Sequence, residues 1–332
     1  MITLKAISYY LPEMSLTNND LNGLFPDWSV DKIARKTGIL QRRIADKDEF
    51  VSTMAVKAAN NLFNEYGIAP ADIQFILLCT QSPDYFLPTT ACIVQHELGI
   101  PVTAGALDFN LGCSGYVYGL SLAKGLIASG EVENVLLITS ETYSKHIHEA
   151  DKSVRTIFGD AASASFISKA DTGNNILKFT YGTDGAGANN LIVKGGGMRY
   201  QHLEDSDIAE APNGLSPNKL FMNGSEIFAF TLKSVPAMVN QVLAKNNLVQ
   251  DDIDLFVFHQ ANKYMLEHLR LKLGISEDKF FIDIADCGNT VSSTIPIALK
   301  SALTQQKIKP GMKVMIAGFG VGYSWGANII QY

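Results

Sequence analysis

Apolar residues in this chain come in short unbroken runs separated by longer stretches with helical period. Residues 75–79, 105–109, 135–138, 255–258, 280–284 and 314–317 each read as a strand. Runs this short, without polar alternation, suit strands covered on both faces. Helices are expected over 52–66, 114–129, 224–246 and 292–305. Ser52 is the expected N-cap of the first, and Gly67 its terminating glycine. Gly130 follows the second, Asn223-Gly224 precedes the third, and Pro296 falls in the first turns of the fourth, where proline is best tolerated. Buried strands alternating with helices of this length make an α/β protein.

The pattern breaks between Gly182 and Gly224. Closely spaced glycines with Pro212 and Pro217 imply loop and irregular structure joining two halves. The halves, about 1–170 and 171–332, look alike in outline. In each, a strand ends at a residue capable of chemistry and a helix follows.

A chain of 332 residues can bury a large core and accommodate two such units. Its formal net charge of −6 disfavours a nucleic-acid partner. A local basic patch could still face an acidic carrier. The four cysteines, Cys79, Cys92, Cys113 and Cys287, include no Cys-x-x-Cys pair, so neither a zinc site nor a disulfide framework is expected. Met1-Ile2-Thr3-Leu4-Lys5 lacks the charged and apolar regions of a signal peptide. The apolar runs are too short for a bilayer, so no membrane segment and a cytoplasmic setting are expected.

Four windows could carry chemistry. In Asp108-Phe109-Asn110-Leu111-Gly112-Cys113-Ser114-Gly115 a strand ends, a glycine turns the chain and a cysteine opens a helix. The helix dipole there would favour the thiolate and lower its pKa, and the small neighbours would let a substrate approach. A free cysteine is more often a small buried hydrophobe, which is the reading for Cys79 and Cys92. In Phe258-His259-Gln260-Ala261-Asn262 a histidine stands at the carboxyl end of a buried strand, where open α/β sheets place ligand-binding residues. Taken alone it is more readily a satisfied core histidine. Asn289, in Cys287-Gly288-Asn289-Thr290, could simply make a turn. The glycine-rich 318–326 segment could present backbone amides to an oxyanion, or only turn the chain.

Together these windows resemble β-ketoacyl-acyl carrier protein synthase III and its relatives in the thiolase superfamily. The likeness runs from Lys36-Thr37-Gly38-Ile39 to Trp325-Gly326, with Phe158-Gly159-Asp160-Ala161-Ala162, His259-Gln260-Ala261-Asn262 and Gly288-Asn289-Thr290 as its motifs. The resemblance implies a thiolase-like fold, two similar βαβαβαββ halves in a five-layer αβαβα arrangement, and a homodimer. It implies decarboxylative Claisen condensation of an acyl thioester primer with a malonyl thioester. Cys113 would carry the acyl group, and His259 and Asn289 would bind the malonyl carbonyl. The backbone amides of Cys113 and Val321 would form the oxyanion hole. CoA thioesters and acyl carrier protein are the implied partners, and no cofactor is implied.

Some positions differ from the family pattern. Leu87, from the partner subunit, stands where relatives often have an aromatic acyl-pocket gate. Lys32, Lys36 and Lys152 stand where a tryptophan and two arginines often grip the CoA nucleotide, so the adenine-stacking sandwich is expected to be absent. Tyr264 replaces an arginine. Asn262, Lys263, Arg270 and Lys272, with Arg42, are the remaining candidates for CoA or carrier contact, each equally readable as solvated surface. Two other readings remain: an acyltransferase on the same fold that passes the acyl group to an amine or alcohol, and a non-catalytic partner subunit. The intact Cys113 opposes the latter.

Overall fold

The unalternating runs become strands because helices cover the sheets on both sides. A computed structural model describes all residues except 171–174, 208, 210 and 213. The boundary expected after residue 170 therefore falls outside the described residues. In chain order the strands begin with β1 (Ile2–Tyr10), β2 (Ser15–Thr17), β3 (Gln41–Arg43), β4 (Phe75–Cys79), β5 (Gly105–Phe109), β6 (Asn134–Glu141) and β7 (Ala161–Lys169). They continue with β8 (Asn175–Ile176), β9 (Thr180–Thr183), β10 (Leu191–Ile192), β11 (Phe221–Met222), β12 (Leu255–Phe258), β13 (Lys313–Gly320) and β14 (Ser324–Gln331). The helices are α1 (Asn18–Leu24), α2 (Val30–Thr37), α3 (Val51–Tyr66), α4 (Thr90–Glu97), α5 (Gly115–Ala128), α6 (Lys152–Arg155), α7 (Gly224–Lys245), α8 (Lys263–Leu273) and α9 (Thr294–Thr304).

One sheet has the order β1-β7-β6-β4-β5, with β4 parallel to β5 and β6. The other runs β12-β13-β14-β8, with β9 also on β14 and β12 parallel to β13. Helices α5 and α9 lie between the sheets, touching strands of both. Their sequences, GYVYGLSLAKGLIA and TIPIALKSALT, are largely apolar, as helices packed between two sheets must be, with Leu122, Gly125 and Ala128 of α5 left exposed. Helix α3 with α4 covers the first sheet, and α7 with α8 covers the second. This gives the five-layer αβαβα thiolase-like architecture.

Helix α7 is long and apolar enough by composition to cross a bilayer, the one such helix among the described residues. It is amphipathic, however. Ile227, Phe230, Val235, Met238 and Val242 are buried, while Lys233, Asn240 and Lys245 face outward.

Three local expectations need correction. Ser52 does not cap α3: Phe50 is the N-cap, and Ser52 instead donates its backbone N–H to Asp84 Oδ1 at 3.0 Å and its hydroxyl to Oδ2. The run 280–284 is not a strand beyond a single parallel bridge, Phe256 to Phe280. There the side chain of Gln260 replaces the ladder, donating to Phe281 O at 3.3 Å and accepting from Asp283 N–H at 2.8 Å. Cys92 lies on α4 but is only partly buried, with its thiol turned back on Thr89 O at 2.9 Å. The 182–224 stretch holds only short pieces of regular structure in its described residues, as expected.

Candidate active site

Cys113 reaches the space between the sheets because glycines clear its path. A Cβ on Gly112 would lie 2.6 Å from Gln81 Oε1 and from Val321 Cγ1. On Gly318 it would lie 2.7 Å from the Cys113 carbonyl oxygen, and on Gly320 2.8 Å from the Cys113 sulfur. The close approach of β13 to the nucleophile segment thus requires two glycines of the 318–326 run. Ser114, not Cys113, is the cap of α5, and its hydroxyl bonds that of Ser324 at the start of β14.

The thiol's electrostatics differ from expectation. The backbone N–H groups of Cys113 and Val321 lie within reach of the sulfur and favour the thiolate. Burial outweighs them, and with Glu141 nearby it pushes the thiol up to about 12. The helix start does not compensate for burial of the thiol. Cys113 therefore rests as a thiol and needs a base to become a nucleophile.

His259 ends β12, its N–H continuing the ladder to Ala317 O at 2.7 Å. Its ring stands edge-on to Phe319, and Nδ1 lies 2.7 Å from Thr294 Oγ1. Burial holds its pKa down at about 3, so the imidazole is neutral. A neutral imidazole can accept a proton.

Asn289 is placed by a cross-chain staple. Its N–H donates to Ile157 O at 3.0 Å, and Gly159 N–H donates back to Asn289 O at 3.0 Å. Its Oδ1 accepts Val291 N–H at 2.9 Å, which turns Nδ2 to the cavity side, where it also reaches Ala261 O at 3.3 Å. Val291, a β-branched residue, is held at φ 56°. That is a strained conformation of the kind found at functional sites.

Cys113, His259 and Asn289 line one cavity of about 140 Å³, together with Asn262, Phe158, Leu191, Met265 and Phe319. Its walls are largely apolar and its few polar groups converge, as in a small-molecule site. A thiol, a neutral base and an amide donor in a largely apolar cavity can transfer an acyl group and stabilise an enolate oxygen.

The candidate contact residues divide. Asn262 caps α8, accepting Met265 N–H at 2.9 Å, and Lys263 starts that helix against α2. Lys32 and Lys36 both sit over the ring of Trp28, at 5.2 and 5.3 Å. Lys152 pairs with Asp27 at 3.0 Å. These residues form one basic face around Trp28, which lies one turn before Lys32. Arg270 and Lys272 lie in the last turn of α8, about 10 Å along the axis from its start. Arg270 is bound to Glu267 at 2.8 Å and to Ile275 O at 3.1 Å. Arg42 is fully buried, donating to Thr156 O and Asn18 Oδ1, so it is not a surface contact. Leu87 is 81% exposed, beside the equally exposed Phe86, and lines no part of its own chain's cavity.

Sequence reasoning missed Trp28, Thr294, Gln260 and Asp160 as site-building residues. Asp160 is buried and accepts Ala45 N–H at 2.8 Å and Ser144 N–H at 2.9 Å. It thereby anchors the Phe158-Gly159 turn that holds Asn289. The only sequence signal for Gln260 and Asp160 was their place inside short motifs.

Two sheets enclosing a thiol at the start of a central helix define a thiolase-like condensing enzyme. Comparison with known proteins agrees. The family model for 3-oxoacyl-[acyl-carrier-protein] synthase III matches residues 107–185, and the model of its C-terminal part matches 243–332. The β-ketoacyl-[acyl-carrier-protein] synthase III of Caldanaerobacter subterraneus is 36% identical over 323 residues, 97% of this chain and 95% of that protein. A crystal structure of a 3-oxoacyl-(acyl-carrier-protein) synthase III superposes with a TM-score of 0.95 at 48% identity, covering 100% of this chain and 99% of the other. That of the Aquifex aeolicus 3-oxoacyl-[acyl-carrier-protein] synthase III gives 0.88 at 31%, covering 100% of both. The chain belongs to the 3-oxoacyl-[acyl-carrier-protein] synthase III family and is a transferase-class condensing enzyme. This favours condensation over acyl transfer to an amine or alcohol.

Proposed function

We propose that this chain joins an acyl primer to a malonyl thioester, with loss of carbon dioxide, through an acyl-Cys113 intermediate. The observation that carries the assignment is the convergence of Cys113, His259 and Asn289, from segments far apart in sequence, on one cavity. Cys113 attacks the primer thioester, and its oxyanion is held by the N–H groups of Cys113 and Val321. Asn289 Nδ2 and protonated His259 then hold the malonyl thioester oxygen as the carboxylate leaves. Each fixed donor of this kind contributes roughly 10²–10³-fold. Every step is acid–base or covalent chemistry of the chain's own residues and the two thioesters, so no metal or redox cofactor is called for.

The face of Trp28, Lys32, Lys36, Lys152 and Lys263 receives the CoA nucleotide or the phosphopantetheine of a carrier protein. Asn262 lies where that arm enters. Arg270 and Lys272 serve a carrier's acidic surface. The enzyme works in the cytoplasm as a homodimer of two-half protomers divided near residue 170. The dimer reading rests on strand β5, which ends its sheet unpaired. Leu107 on this strand and Tyr85, Phe86 and Leu87 in the loop after β4 are exposed apolar residues. Leu87 then completes the acyl pocket of the partner subunit.

The test is peptide mapping after incubation with acyl-CoA and with acyl-carrier protein, beside a malonyl decarboxylation assay. Added mass on Cys113, with primer-dependent release of carbon dioxide, is expected. Mass on Cys79, Cys92 or Cys287 instead would refute the nucleophile. Light scattering that finds a monomer at micromolar concentration would refute the dimer.

A further inference from the structure

Among the described residues the His259 ring has one side-chain hydrogen-bond partner, Thr294, and that neighbour decides which ring nitrogen carries the proton. Thr294 Oγ1 lies 2.7 Å from His259 Nδ1 and 3.1 Å from Val291 O. A carbonyl oxygen can only accept, so the threonine's single hydroxyl proton goes to Val291 O. Its oxygen then accepts from His259 Nδ1–H. We propose that Thr294 is a positioning residue that fixes the proton of neutral His259 on Nδ1 and leaves Nε2 bare toward Cys113. The inference rests on the condensing reading and adds how one histidine serves both of its halves.

The proton count follows. In acylation the Cys113 S–H bond breaks and its proton moves to Nε2. The Sγ–acyl bond forms, the primer's C–S bond breaks, and the departing thiolate takes a proton from solvent. His259 is now an imidazolium whose Nε2–H points into the cavity. Burial alone opposes that charge, but the incoming malonyl carboxylate supplies a compensating one. When the carboxylate leaves as carbon dioxide, its bonding electrons form an enolate whose oxygen accepts from Nε2–H and Asn289 Nδ2–H. The enolate carbon bonds to the acyl carbonyl carbon, the Sγ–acyl bond breaks, and Nε2 returns its proton to the sulfur. One solvent proton is consumed per turnover, as this decarboxylating condensation requires.

Val291 links the two donors. Its N–H fixes the Asn289 amide, and its carbonyl, through Thr294, fixes the His259 tautomer. This gives a use for its strained φ of 56°.

The test is heteronuclear NMR of protein labelled with heavy nitrogen in its histidines, with the His259 signals assigned by their loss in His259→Ala. Wild type is expected to show a protonated Nδ1 and a bare Nε2. Thr294→Val, which keeps the shape but removes the hydroxyl, is expected to mix the tautomers. It should also slow acylation of Cys113 by about tenfold to a hundredfold, within the range of a general base. Thr294→Ser is expected to restore both. A wild-type spectrum with the proton on Nε2, or a Thr294→Val enzyme acylating at the wild-type rate, overturns the proposal. The wild-type spectrum needs no variant to fold. It also reads the tautomer even if Cys113 proves not to be acylated, so failure of the condensing reading is seen separately.

Discussion

Asn289 and Ile157 are joined by a main-chain hydrogen bond of 3.0 Å, so the asparagine proposed for the decarboxylation step is positioned by backbone 132 residues earlier in the chain. The turn that follows leaves no room for a side chain: a Cβ on Gly159 would lie 2.2 Å from the carbonyl oxygen of Cys287. Gly159→Ala should therefore push the 287–289 segment away, at a cost of about 1–3 kcal/mol from overpacking. We expect malonyl decarboxylation to fall much further than acylation of Cys113. Equal loss of the two, at unchanged stability, would show that the staple does not position Asn289.

Division of labour between the side chains is tested by Asn289→Ala and His259→Ala. Asn289→Ala should still take an acyl group on Cys113 but lose decarboxylation by roughly 10²–10³-fold, the usual effect of removing one such donor. His259→Ala should lose both, because the buried thiol loses the base proposed for it. Intact mass and carbon dioxide release measure the two steps separately.

Gln260 is bound to backbone on two segments, donating to Phe258 O at 2.6 Å and accepting from Asp283 N–H at 2.8 Å. Gln260→Ala removes both of these bonds. A loss of about 1–3 kcal/mol in urea unfolding is expected. A change within experimental error would mean that water replaces the side chain.

Stability should depend on pH through Glu141. Burial pushes its carboxyl from 4.5 up to about 8, although it accepts from Gln81 N–H at 3.1 Å and from the hydroxyls of Ser82 and Ser292. Between those pH values the folded protein holds a proton that the unfolded chain has released. Raising the pH through this window therefore weakens the fold. Asp160, pushed up to about 6, acts in the same direction over the lower part. Glu141→Gln removes the larger contribution, so its Tm should gain on wild type as pH rises from about 5 to 8. A constant difference between the two curves would refute the assignment.

The basic face predicts a binding effect without a chemical one. Trp28→Ala should raise KM for a CoA-linked primer by about fivefold or more, the scale of losing a stacked ring with its flanking cations, and leave kcat nearly unchanged. A primer on a carrier protein, which lacks the adenine, should be less affected. Equal effects on both would place the tryptophan in carrier docking.

Much of this protein was legible in its sequence. Strands such as 75–79 and 255–258 declare themselves because two-sided burial removes polar alternation, and α5 and α9 because a helix between sheets must be largely apolar. Cys113, His259 and Asn289 could be marked because each stands where a strand or turn ends at a short motif. Local pattern could not fix the balance of forces at those residues. The helix start promised a thiolate, but packing by distant segments made burial the larger effect and left a thiol beside a neutral histidine. The run 280–284 has a strand's composition, yet a single glutamine side chain takes over its ladder. Thr294 and Ile157 act on residues 35 and 132 positions away. Such contacts leave no local trace, because hydrogen bonding and desolvation depend on distance in space, and only the packed sheets set those distances.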